Sequence, residues 1–155
     1  DRLVADERQG LFRLARGMLG DNHAAEDMVQ DALLALYRNW ERVEHPRSYL
    51  YKSVSNLCLN HLTRRQRPLP LAPDRIATAA DPLVEAEENQ AVRAALDALP
   101  NHERAAVLLR EVERLSYHEI AAALEATAEQ VTNWIHRGKK RLRAQLAPRM
   151  RRPQP

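Results

Sequence analysis

Three features of the chain predict an all-α fold of two small helical domains joined by a flexible linker. Apolar residues recur at helical offsets and in no stretch alternate with a period of two, which leaves no basis for a sheet. Hydrophobic residues are 45% and charged residues 29%, while only 5% are aromatic and 4 are glycine, a globular and helix-favouring balance. Pro68, Pro70, Pro73 and Pro82 interrupt the pattern near mid-chain, because proline lacks an amide hydrogen and disfavours helix at the preceding residue. The 155 residues suffice for one compact domain or two small ones, and not for a large enzyme fold with a separate substrate domain.

The expected division is a helical domain over 1–66, a linker over 67–83, a second helical domain over 84–147 and a basic tail over 148–155. In the first domain Leu11, Leu14, Ala15 and Met18 form a helical stripe ending near Gly20, a C-cap. Ala25, Val29, Leu33, Leu36 and Trp40 form a second stripe. Pro46 opens a third helix carrying Leu50, Val54, Leu57 and Leu62. Beyond the linker, Val84 to Leu99 reads as a helix closed by Pro100, and Glu103 to Leu115 as another. Ser116-Tyr117-His118-Glu119 is a capping box, in which the serine oxygen accepts from a free backbone N–H and the glutamate reaches back to the cap. Thr127-Ala128-Glu129-Gln130 repeats that logic and opens a helix with Val131, Ile135 and Leu142. Two capped helices so close together make a helix-turn-helix. Glu125 falls in the turn, where a left-handed backbone is often required.

Net charge is only +3, yet no acidic residue follows Glu129, whereas Arg137, Lys139, Lys140, Arg141, Arg143, Arg149, Arg151 and Arg152 do. Such a concentrated cation suits nucleic acid or an acidic surface, with plain solvation an equal reading of the last few. Cys58 is the only cysteine, which excludes an internal disulfide and a thiolate-rich zinc site. No apolar run approaches the roughly 20 residues needed to span a bilayer, so membrane insertion is not expected and a cytoplasmic location is.

In a helix-turn-helix the early residues of the second helix meet base edges in the major groove. Glu129, Gln130, Asn133, His136 and Arg137 are the polar candidates, with Lys139, Lys140, Arg141 and Arg143 placed for phosphates. Trp134 fits core packing better than a sugar contact. A second basic surface runs through Arg47, Lys52, His61, Arg64, Arg65 and Arg67, with Tyr49, Tyr51, Asn56 and Asn60 interleaved, a mixture suited to single-stranded nucleic acid. Tyr49 and Tyr51 cannot face the same way on a helix, so at least one belongs to the core. Glu26, Asp27, Gln30 and Asp31 form an acidic face that would repel DNA; read alone, it fits a protein partner or plain solvation.

At these residues the chain resembles a bacterial RNA polymerase sigma factor of the extracytoplasmic-function group of the sigma-70 family. Ala25-Glu26-Asp27-Met28-Val29-Gln30-Asp31 is similar to the family's region two signature, and Pro46-Arg47-Ser48-Tyr49-Leu50-Tyr51-Lys52 with Asn56-Leu57 to its promoter-melting portion. Ala98-Leu99-Pro100, Leu115 to Ala121, His136-Arg137 and Lys140-Arg141-Leu142 resemble region four, in the same order.

The resemblance implies that Asp27, Gln30, Asp31 and Tyr37 dock on core RNA polymerase. It implies that Arg47, Lys52, Asn56, Asn60, Arg64 and Arg65 open and read the minus-ten element of promoter DNA. It implies that Glu129, Gln130, Asn133, His136, Arg137 and Lys140 read the minus-thirty-five element as duplex. Binding energy for exposed bases offsets the few kcal/mol of unstacking, so melting needs no catalytic residue. An anti-sigma factor is implied as a further partner; no cofactor or metal is.

Ser55 and Thr63 stand where the family usually has Arg, Asn60 where it has Asp, Thr132 and Trp134 where it has Lys and Arg, and Glu125 at the turn glycine. With these phosphate contacts missing, an altered promoter preference or weak promoter binding by the chain alone is expected, with a shallower salt dependence. The alternative function is a sigma-like regulatory protein that binds an anti-sigma factor without directing transcription itself. An enzyme is not expected: no metal-binding histidine spacing and no Gly-rich phosphate loop occurs.

Overall fold

A computed structural model describes residues 2–66 and 87–150, and every regular element among them is helical. The linker expected over 67–83, the first residues of the helix expected from Val84, and 151–155 lie outside the described residues.

Helix α1 (Arg2–Leu19) buries Leu11, Leu14, Ala15 and Met18 and ends at Gly20, whose φ of +75° is the left-handed value that glycine adopts without penalty. Asp21 then caps α2 (Asn22–Arg38), its Oδ1 accepting from the His23 N–H at 2.9 Å. Ala25, Val29, Ala32, Leu33 and Leu36 face inward. Trp40 does not extend that stripe as expected. Helix α2 stops at Arg38, where the Asn39 side chain donates to the Ala35 carbonyl, and Trp40 begins a single 3₁₀ turn (Trp40–Arg42) that leaves its ring 42% exposed. Helix α3 (Pro46–Gln66) completes a three-helix bundle through Leu50, Tyr51, Val54, Cys58 and Leu62.

The second half begins with α4 (Glu87–Asp97), then α5 (Asn101–Val107), which continues without a break into a wide π-type turn (Leu108–Val112). The expected helix to Leu115 therefore ends earlier. Arg114 takes a φ of +59°, the left-handed region where glycine is usual, and the Leu115 N–H closes on the Leu109 carbonyl at 3.0 Å, one residue wider than a Schellman ending because the last turn is π-type. Helix α6 (Tyr117–Leu124) and α7 (Ala128–Met150) follow; α7 runs into the expected basic tail as far as Met150.

The halves are not separate in this arrangement: one apolar core runs through both. The carbonyls that end α1 accept from arginines of the second half, Arg93 Nη1 and Nη2 to Arg16 and Gly17 at 3.0 and 2.8 Å, and the buried Arg104 Nη1 to Met18 at 2.6 Å. Cations at a helix C-terminus complement its dipole. Gly17 lets Leu108 approach, since a Cβ there would lie 2.8 Å from its Cδ1.

Candidate nucleic-acid interface

Both capping boxes form. The Glu119 N–H donates to Ser116 Oγ at 3.1 Å and the Ser116 N–H to Glu119 Oε1 at 2.9 Å. The Gln130 N–H donates to Thr127 Oγ1 at 3.1 Å and the Thr127 N–H to Gln130 Oε1 at 3.0 Å. Between them Glu125 sits at φ 53°, ψ 49°, the left-handed conformation expected, at a cost of about 1 kcal/mol for a residue with a Cβ. The turn leads into α7, whose first turns bury Val131 and Ile135 and leave Glu129, Gln130, Thr132 and Asn133 exposed.

Glu129, Gln130, Asn133, His136, Arg137 and Lys140 are all exposed, and at 100° per residue they fall within an arc of about 120° on α7. Val131, Ile135 and Gly138 occupy the opposite, buried side. Gln130 already spends its carbonyl oxygen on the cap, which leaves only its amide NH₂ for a base edge. Trp134 lies at the flank, half-buried, its ring 4.8 Å from that of His102. Among the cations expected near phosphates, Lys139 pairs with Glu111 at 3.0 Å and Arg141 with Glu103 at 2.9 Å, while Lys140 and Arg143 are exposed.

On α3, Lys52, Asn56, Asn60 and Arg64 recur every fourth residue and rise along one side. Arg47 and Arg65 are turned elsewhere. Arg65 Nη1 donates to the Leu19 carbonyl at 3.3 Å. Arg47 lies 5.3 Å from the Tyr51 ring, with Nε 3.1 Å from Glu7 Oε1 and Nη1 on Glu119 of the second half. Burial opposes its charge, but the two carboxylates prevail and raise its pKa. Tyr51 is the buried member of the tyrosine pair, and burial pushes its hydroxyl pKa up. Ser55 departs from expectation: it is not on the nucleic-acid side but fully buried, its Oγ without a hydrogen-bond partner among the described residues. Thr63 and Thr132 are exposed, their hydroxyls donating to the carbonyls four residues back.

Asp27, Gln30, Asp31 and Tyr37 share an exposed arc of α2 with Leu34, which is 52% exposed. Sequence reasoning passed over Leu34; its offsets of 4 from Gln30 and 7 from Asp27 place it on the acidic face rather than the buried stripe. It also missed that Glu113, Glu119 and Glu125 oppose the cations of the first half. No group of metal-ligating side chains occurs among the described residues, and no described helix is long and apolar enough to cross a membrane.

A helical bundle joined to a capped helix-turn-helix with an exposed polar face on α7 defines the architecture, and comparisons with known proteins specify the class. Sigma-70 region 2 matches residues 3–68 and sigma-70 region 4 matches residues 89–142. The ECF RNA polymerase sigma factor SigE of Mycolicibacterium smegmatis is 35% identical over 95% of this chain and 61% of its own length. The RNA polymerase sigma-E factor of Streptomyces coelicolor is 33% identical over 96% and 86%. The chain thus spans about three fifths of the first relative and most of the second. The sigma factor RpoE of Bartonella quintana, solved in complex with the anti-sigma factor NepR, has the same fold, with a TM-score of 0.74, 18% identity, and coverage of 94% of this chain and 95% of that one. CnrH, solved with the cytosolic domain of CnrY, scores 0.73 at 24% identity, covering 95% and 86%. The chain belongs to the extracytoplasmic-function group of the sigma-70 family.

Proposed function

We propose that the chain is a promoter-specificity subunit that binds core RNA polymerase and directs transcription initiation in the cytoplasm, by binding rather than catalysis. The exposed face of α2, with Asp27, Gln30, Asp31 and Tyr37 around Leu34, is the polymerase contact. Lys52, Asn56, Asn60 and Arg64, along one side of α3, hold the opened minus-ten strand through phosphate and base contacts. The leading face of α7 enters the major groove at the minus-thirty-five element.

The observation that carries this reading is the confinement of six exposed polar side chains to one face of α7 behind a doubly capped turn. An anti-sigma factor is the expected regulatory partner, since the sigma factor RpoE, which shares this fold, was solved with the anti-sigma factor NepR. Run-off transcription with core polymerase and genomic fragments tests the proposal. Discrete start sites dependent on the chain are expected, and transcription indistinguishable from core polymerase alone refutes it.

A further inference from the structure

We infer that Glu103, a buried carboxylate on α5, positions Arg141 of α7 as a phosphate contact at the edge of the exposed polar arc. The inference rests on the duplex reading of α7 proposed above. The two side chains differ sharply in environment, with 8% of the Glu103 side chain exposed and 57% of that of Arg141. An ionised carboxylate taken out of water is costly unless a cation faces it. Arg141 is that cation, its Nε 2.9 Å from Glu103 Oε1. The pair stands at ion-pair distance without the alignment of a hydrogen bond, and Oε1 has no hydrogen-bond partner among the described residues. Close packing fixes where the carboxylate sits. A Cβ at Gly138 would lie 3.3 Å from the Glu103 carbonyl oxygen and 3.5 Å from its Cβ, so the two helices touch one turn before Arg141.

A guanidinium carries five N–H donors in a rigid planar fork, so engaging Nε with Glu103 leaves donors for a second anion. The exposure of the side chain keeps them within reach of one. Position along the helix agrees. At 100° per residue Arg141 falls about 20° outside the polar arc on the Gln130 side, whereas Lys139, paired with Glu111, falls about 60° outside it on the His136 side. An unrestrained arginine gives up rotamer freedom when it grips a phosphate; one already held by a fixed carboxylate gives up less. That difference changes affinity by roughly 2- to 12-fold. The bare electrostatic effect has the opposite sign, because a carboxylate beside a phosphate repels it.

The test measures the full chain, Arg141→Gln, Glu103→Leu, the double variant and Lys139→Gln by fluorescence anisotropy on a random-sequence duplex DNA pool across a salt series. Each lost phosphate contact lowers the slope of log Kd against log salt by about 0.9. Arg141→Gln should lose about that much, whereas Lys139→Gln removes the same charge outside the arc and should keep the wild-type slope. Leucine at position 103 fills the buried site with an apolar side chain of similar volume. Glu103→Leu should weaken binding by roughly 2- to 12-fold with the slope unchanged, and should weaken it no further in the Arg141→Gln background, because it acts through that residue. Tighter binding by Glu103→Leu overturns the inference, since the carboxylate would then withhold the arginine. So does an unchanged slope for Arg141→Gln, an equal fall for Lys139→Gln, or the absence of duplex binding by the wild type. Arg141 is exposed, so its slope is read on a folded chain even where Glu103→Leu does not fold. Polymerase takes no part, so a failed run-off assay strikes the promoter function while these slopes judge the arginine.

Discussion

Replacing Gly138 by alanine distinguishes an α7 packed against its neighbours from a merely solvated one, because the two cases differ in sign. In an exposed helix the change gains about 1 kcal/mol from the lower backbone entropy of alanine in the unfolded chain. Here a Cβ at Gly138 would stand 2.5 Å from Val107 Cγ2, 3.3 Å from the Glu103 carbonyl oxygen and 3.5 Å from Glu103 Cβ. Carbon atoms rest about 3.5–4.0 Å apart, so the valine methyl must retreat by about 1 Å. Val107 is β-branched, stiff at χ1 and only 4% exposed, and the backbone oxygen blocks a sideways shift of α7. Overpacking of this kind costs about 1–3 kcal/mol. The net expectation for Gly138→Ala is a loss of up to about 2 kcal/mol, which lowers Tm by up to about 8 °C in a chain of this size. Thermal unfolding followed by circular dichroism measures it. Val107→Ala removes the obstructing methyl, so the double variant should recover about 1–3 kcal/mol relative to additivity. A rise in Tm for Gly138→Ala, or strict additivity in the double variant, refutes the packing argument.

Ser55→Ala deletes a buried hydroxyl that has no partner among the described residues, and should raise stability by about 1 kcal/mol in chemical denaturation; a loss of that size would show that the hydroxyl is satisfied. Burial pushes the Cys58 thiol from 9.0 up to about 12, so near neutral pH the folded chain holds about a thousandfold less thiolate than the unfolded one. Native protein should accordingly resist Ellman's reagent until denaturant is added, whereas prompt labelling would place the thiol in solvent. The Glu119 carboxyl is held below its ordinary 4.5, first by the Ser116 backbone N–H and further by Arg47, against the opposing effect of burial. A depressed carboxyl contributes stability that is complete above its unfolded value and lost as pH falls through its folded one. The Tm difference between wild type and Glu119→Gln should therefore be constant near neutrality and shrink below pH 4.5; a difference independent of pH would exclude this linkage.

Local signals carried a long way. Stripes at helical spacing, Pro46, Gly20 and the two capping boxes specify their elements through contacts within a few residues, so the helix-turn-helix and even the left-handed Glu125 are legible along the chain. The polar face of α7 is likewise a matter of spacing alone. Other readings failed because they depend on what lies opposite. Trp40 continues the α2 stripe in spacing, but Asn39 ends the helix first. Ser55 looks like a surface position until α3 is packed against its neighbours.

Composition and periodicity by themselves determined helices, their caps and the polar face of α7, since each arises from interactions short in sequence. Only the tertiary structure decided that Arg104 caps α1 from 86 residues away, that Leu108 needs Gly17, and that Arg47 meets Glu119 across the seam. Those contacts join residues whose separation along the chain bears no relation to their separation in space, so no spacing rule announces them.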